Sequence, residues 1–248
     1  MTRASTVITM TTETASQAGP AGVRLQRLMT WLSPAFPVGA FSYSHGLEAA
    51  VETGMVTNRA SLSDWVETIV ATGAGRVDAA LLRAAHEAVA ENDGDVLGWA
   101  VERGDALRPT RELGVETASQ GAAFIAAIDR HWPAPALTDL IALAAYENRE
   151  IAYPVAVGAA AAAHDIALVP ALESYLHAFA ANIVSAGVRA IPLGQSDGLH
   201  VLATLEPVIV AAAALARTRT LEDLGSATVM VDWASAIHET QYTRLFRS

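Results

Sequence analysis

The sequence predicts an all-α fold, and three observations carry that prediction. Apolar residues recur at helical spacing along nearly the whole chain, and proline and glycine interrupt them at helix-length intervals. No stretch shows convincing apolar/polar alternation bounded by hairpin turns, Val229–Val231 being the one faint strand candidate. The expected architecture is a single helical-bundle-like domain of about ten helices over residues 23–236. A disordered tail is expected at 1–22 and a partner-binding C-terminal tail at 237–248.

Taken in order, Leu25, Leu28, Met29 and Leu32 form a 3.6-residue stripe, so a helix is predicted over 23–32, broken by Pro34 and Pro37. A second helix is expected from Ser44 to Glu52, stopped by Gly54. Ser61 and Asp64 have capping-box spacing ahead of Trp65, Val66, Ile69 and Val70. Val77–Ala90 and Asp95–Arg103 follow as helices. Pro109 suits the first turn of a long helix ending near Trp132, buried through Leu113, Gly121, Phe124, Ile125 and Ile128. After Leu137–Tyr146, Pro154 opens an Ala/Gly helix to Ala163 whose small side chains allow a neighbour to approach closely. Pro170 opens a helix with Leu172, Leu176, Phe179 and Ile183 on one face, and Pro192 stops it. Gly194–Gly198 reads as a polar turn, and Leu199–Ala216 as a helix kinked at Pro207. A short helix at Leu221–Leu224 and an irregular tail close the chain.

Composition narrows the function. In 248 residues, 52% hydrophobic content supports a sizeable core, while 17% charged residues is low for an ordinary surface. Either alanine in the core inflates the apolar share or a partner covers apolar surface. A net charge of −10 supplies no basic footprint for nucleic acid. The chain has no cysteine, which removes disulfides, thiolate metal sites and cysteine nucleophiles. All 16 basic residues are arginine; without lysine there is neither a P-loop nor a Schiff base. Residues 1–22 lack a signal-peptide pattern. The longest apolar runs, 151–163 and 208–216, fall short of the roughly 20 residues that span a bilayer, so a cytoplasmic protein with no membrane partner is expected.

Reaction chemistry is hard to find. No G-x-S-x-G elbow, H-E-x-x-H pair or G-x-G-x-x-G turn occurs, and adjacent Ser44 and His45 make poor nucleophile–base geometry. No catalytic residue and no cofactor is expected. The seven histidines are scattered; His45 and Glu48, three apart, could offer two metal ligands, and His238 beside Glu239 a weak third.

Three segments are unlike mere core. Ser33–Glu48, SPAFPVGAFSYSHGLE, sets Phe36, Phe41 and Tyr43 in a Pro/Gly-stiffened loop that either tucks under the domain or meets a partner. Arg189–Gly198, RAIPLGQSDG, closes one helix with an arginine suited to its dipole; Gln195 and Asp197 follow, Asp197 placed to cap the next helix. His238–Ser248, HETQYTRLFRS, carries Tyr242, Arg244, Leu245, Phe246 and Arg247, too apolar and aromatic for a solvated tail. It either folds onto a partner or docks on its own domain.

Together these segments resemble the urease accessory protein UreF family. SPAFPVGAFSYSHGLE resembles its N-terminal signature, RELGVETASQGAAF its long central helix and AYPVAVGAAAAAHDI its Pro-led Ala/Gly helix. VSAGVRAIPLGQSDGLHVLATL and HETQYTRLFRS are similar to its C-terminal motifs, in family order over about residues 28–248. Tyr153 stands where relatives often carry histidine, which weakens a metal role there. The resemblance implies a non-catalytic, all-α homodimer acting as adaptor between UreD (also called UreH) and the GTPase UreG on apo-urease, with nickel handled transiently by the complex. The Pro37–Ser44 loop with Phe41, Tyr43 and Glu48, and the Arg189–Asp197 turn with Gln195, are then expected to face UreG or a second copy. Gln241–Phe246 is expected to order on UreD, with Tyr242 and Phe246 as anchors beside Leu245 and Arg244 at the rim. The alternative is a nickel-binding carrier using His45, Glu48 and His238.

Overall fold

The computed structural model describes residues 20–248, and these fold as helices joined by short connections. The elements are α1 (Pro20–Trp31), a 3-10 turn (Ala40–Ser42), α2 (Leu47–Glu52), α3 (Arg59–Thr72), α4 (Ala74–Glu91), α5 (Gly94–Ala106) and α6 (Arg111–His131). They continue with α7 (Pro135–Glu147), α8 (Tyr153–Ala163), α9 (Leu168–Ala190), α10 (Gln195–Thr218) and α11 (Val229–His238). No strand occurs among the described residues, so the all-α expectation is met.

The core is organised around α8. Every residue from Pro154 to Ala161 is buried, because glycine and alanine leave no bulk to hold neighbours away. It lies against α4, α6 and α9. A Cβ on Gly158 would stand 2.2 Å from the Leu82 carbonyl oxygen, so the α4–α8 crossing needs glycine there. Around this pair, α10 packs on α9, α3 and α4, and α11 packs on α2 and α6. Leu113, Gly121, Phe124, Ile125 and Ile128 form the buried side of α6, as its periodicity predicts.

Several boundaries differ from expectation. Residues 1–19, in the expected tail, lie outside the described residues; residues 20–22 belong to α1, opened by Pro20. The capping box of α3 sits three residues earlier than read, with Asn58 as N-cap and Ser61 as its N3 partner. Pro109 precedes α6, which Thr110 caps through a bond from the Leu113 N–H. The turn before α10 ends at Gly194: Asp197 accepts the Gly194 N–H at 3.1 Å from inside the helix, as a cap should. α10 is thereby a 24-residue helix running through Pro207, long and apolar enough by length and composition to cross a membrane. In this fold one of its faces, Val201, Leu205, Ile209, Ala213 and Ala216, is buried in the bundle.

The largest correction concerns residues 221–238. Leu221–Leu224 is a turn, and the faint strand candidate Val229–Val231 opens α11. The buried stripe of α11 is Val231, Ala234, Ser235 and His238, spaced three, one and three apart. Two of those four are polar, so a purely apolar count hides the helix. The boundary expected at 237 falls inside the last turn of α11, and residues 239–248 run back along the domain.

Candidate functional site

The segment 239–248, a strap, closes over the loop 33–48 and the end of α9. The loop itself is shaped by consecutive left-handed residues, His45 (φ 57°) and Gly46 (φ 76°). Gly46 is required twice, for its φ and because a Cβ would stand 3.0 Å from the Ser235 main-chain nitrogen of α11. That close approach brings His238, one turn further along α11, beside Glu48 of α2.

A chain of polar contacts then fastens the strap. Glu48 accepts the Leu245 N–H at 2.6 Å and the Phe246 N–H at 2.9 Å. His238 is fully buried between two carboxylates, with Nε2 3.2 Å from Glu48 and Nδ1 2.6 Å from Glu112. Arg244 donates to the second oxygen of Glu112 at 2.6 Å. Deeper in, Ser248 Oγ donates to Glu116 at 2.7 Å, and the Ser248 main-chain oxygen accepts both the N–H and the hydroxyl of Ser44. The Arg247 N–H donates to the Ser42 carbonyl at 2.8 Å.

Arg189, from the last turn of α9, completes the assembly. Its guanidinium lies 3.8 Å from the Phe41 ring centroid and 4.5 Å from that of Phe246, and donates to the Phe41 carbonyl at 2.9 Å. Partial burial pulls its pKa below the ordinary arginine value. One cation thus joins the loop, α9 and the strap, three segments that the sequence offered as separate surfaces. Phe41 (67% exposed) and Leu245 (65%) remain open here, and Tyr242 (102%) stands free on the strap.

Other expected site residues lie differently. Tyr43 and Ser44 are buried, so they shape the loop from beneath. Phe246, expected as an anchor in a partner, is buried against its own chain. Pro37 is exposed at the loop, Gln241 is half-buried and donates to the Thr243 carbonyl, and Gln195 is exposed at the start of α10. Asp197 pairs with Arg59 of α3 at 3.3 Å, so its contacts tie α10 to α3.

The three weak metal candidates do not share one ligand set. Glu48 and His238 engage each other, while His45 stands 3.6 Å from Glu116. Among the described residues no group of three or more His, Asp or Glu is arranged to hold a metal ion. Sequence reasoning missed Glu112 and Glu116, the acceptors that matter most beside Glu48. Their signal was present: Glu112, Glu116 and Gln120 recur every fourth residue, a polar stripe on an otherwise inward-facing part of α6.

Beside the strap is a cavity of about 700 Å³. Apolar residues of α1 and the loop, including Leu28, Met29 and Phe36, line it, with Phe179 of α9. Its ionisable lining includes His45, Asp78, Arg108, Glu116, Tyr153, Tyr175 and Asp232. Asp78 accepts Arg108 Nη1 at 3.0 Å and the Tyr175 hydroxyl at 2.7 Å. Burial, then the adjacent Asp78, raises the Tyr175 pKa well above the phenol range, and burial raises that of Tyr153. Asp232 is raised by burial and drawn back by His45.

Comparison with known proteins decides the family. The UreF family model matches residues 56–206. The chain belongs to the UreF family. A urease accessory protein UreF from Rhodopseudomonas palustris (strain BisB5) is 48% identical over 238 residues, covering 96% of this chain and 97% of the relative. One from Bradyrhizobium diazoefficiens is 47% identical over 243 residues, covering 96% and 99%. One from Methylorubrum populi is 48% identical over 222 residues, covering 90% and 98%. All three relatives are named accessory proteins of urease. The strap, the loop and the Arg189 clamp are therefore parts of a UreF-family molecule.

Proposed function

We propose that this protein is a non-catalytic adaptor in urease maturation, bridging UreD (UreH) and the GTPase UreG on apo-urease so that nickel passes into the enzyme without being retained by the adaptor. The observation that supports this reading most is the composite face. Phe41 and Leu245 stand exposed on backbone held by Arg189 and Glu48, and Tyr242 is fully exposed on the strap between His238 and Arg244, both fastened to Glu112. Aromatic side chains on a fixed backbone bind with little ordering cost, which is what an interface hot spot needs. The carboxylates of the neighbouring cavity suit the transit of a dication. Its outer wall, Leu25 and Met29 of α1 with Val210 of α10, suits coverage by a second copy of the chain.

The test is co-purification with UreD and UreG, followed by affinity measurement on single variants. Phe41→Ala, Tyr242→Ala and Leu245→Ala all alter exposed side chains and leave the Glu48, Glu112 and Glu116 bonds in place; Phe41→Ala also removes one ring from the Arg189 clamp. Truncation of a hot spot costs at least ~2 kcal/mol, about thirtyfold in affinity. If all three variants bind both partners as tightly as the unaltered chain, this face is not the adaptor surface.

A further inference from the structure

The imidazole of His164, at the end of α8, stands between two partners that dictate its protonation state. Its Nε2 is 2.9 Å from the Trp132 main-chain oxygen, and its Nδ1 is 3.0 Å from Nη1 of Arg27 on α1. A carbonyl oxygen has no proton, so Nε2 must carry one. A guanidinium has no lone pair to accept with, so Nδ1 must be bare. Both bonds form only with the neutral imidazole. Adding a proton to Nδ1 sets N–H against N–H and cation against cation.

We propose that His164 is a proton-operated latch that holds α1 on the bundle when neutral and loosens it when protonated. Among the described residues, the other holds of α1 are its buried Leu28 and Trp31; Trp31 packs edge-on to Trp132, His164 and Phe124 at centroid distances of 5.8, 5.3 and 6.2 Å. Leu25, Leu28 and Met29 also line the 700 Å³ cavity, so loosening α1 opens that cavity.

The groups facing His164 from each side give the sign. Burial lowers its pKa, the Trp132 carbonyl opposes this, Arg27 lowers it further, and neighbouring Asp165 raises it. The C-terminal dipole of α8 also favours the imidazolium, yet the net direction is down. The undocked state therefore binds more protons than the docked one. Docking is strongest above the ordinary histidine pKa of about 6.5 and weakens as pH falls toward the lowered docked-state value.

Hydrogen exchange of the α1 amides from Arg24 to Trp31 tests this, read as protection factors against those of α4 in the same molecule. Between pH 7.5 and 5.5 the α1 protection should fall by up to about tenfold per pH unit within the window, while α4 stays constant. His164→Asn retains an acceptor toward Arg27 and cannot take up a proton, so its α1 protection should be flat across the range. Arg27→Gln faces either protonation state equally well, so its dependence should be shallower. Constant α1 protection in the unaltered chain overturns the latch. So does an unchanged pH dependence in either variant.

Discussion

Removing the Glu48 carboxylate should loosen the strap while leaving the bundle folded. Glu48 accepts two main-chain N–H groups, from Leu245 and Phe246, and one ring nitrogen of His238. Hydrogen bonds to a charged group contribute ~1.5–3 kcal/mol each. Leu245 is exposed, so water replaces much of its bond, whereas Phe246 is buried and loses its bond outright. Counting one full bond and part of a second gives about 2–4 kcal/mol of strap docking in Glu48→Ala. That corresponds to roughly thirtyfold to a thousandfold in the docked-to-released ratio. The assay is site-resolved hydrogen exchange at Phe246 and Arg247, whose amides bond to Glu48 and to the Ser42 carbonyl in the docked strap. The amides of α8, in the centre of the core, serve as the internal control for global unfolding. Faster exchange at both strap amides with unchanged α8 is the expected result. If exchange at Phe246 and Arg247 changes by less than about threefold in a folded variant, Glu48 does not hold the strap.

Two further predictions concern the frame that carries the site. Gly158→Ala introduces a Cβ 2.2 Å from the Leu82 carbonyl oxygen, and two packed helices must part to admit it. Overpacking of this kind costs ~1–3 kcal/mol, so the thermal midpoint should fall by roughly 2–12 °C; an unchanged midpoint contradicts the close α4–α8 crossing. Asp78→Asn leaves Arg108 buried without its counter-charge and weakens the acceptor for Tyr175. Breaking a buried pair on one side costs ~3–5 kcal/mol, to be read as a lower urea midpoint at unchanged slope.

The helices were legible in the sequence because their buried faces are apolar or small. Leu172, Leu176 and Ile183 on α9 and Phe124 and Ile128 on α6 form stripes that any core of this kind requires. α11 was illegible because its buried face ends in Ser235 and His238, whose burial depends on partners from other elements: Thr110 for the serine, Glu48 and Glu112 for the histidine. The site was half legible for the same reason. Aromatic loops and an aromatic tail announce themselves by composition. That they share one face depends on contacts across more than a hundred residues, such as Arg189 to Phe41 and Glu112 to Arg244. No local pattern encodes such a meeting; only the four-residue spacing of Glu112, Glu116 and Gln120 hinted that α6 turns a polar edge inward.

The acids beneath the strap also fix what a partner would meet on this face. With the strap docked, Glu48, Glu112 and Glu116 spend their oxygens on N–H groups, Arg244 and Ser248, and the outward surface is aromatic and aliphatic. Lift the strap, and three carboxylates lose those donors at the moment Arg244 and Arg247 leave with it. The face then becomes strongly acidic and loses Phe246 from the Arg189 clamp. Docked and released forms differ in charge as well as in shape, so a partner that binds one by burying Phe41 and Leu245 is repelled by the desolvation cost of the other. The Glu48→Ala variant separates these contributions, since it loosens the strap while removing one of the three charges. A partner whose affinity falls far more in Glu48→Ala than in Leu245→Ala depends on the docked geometry rather than on any one side chain.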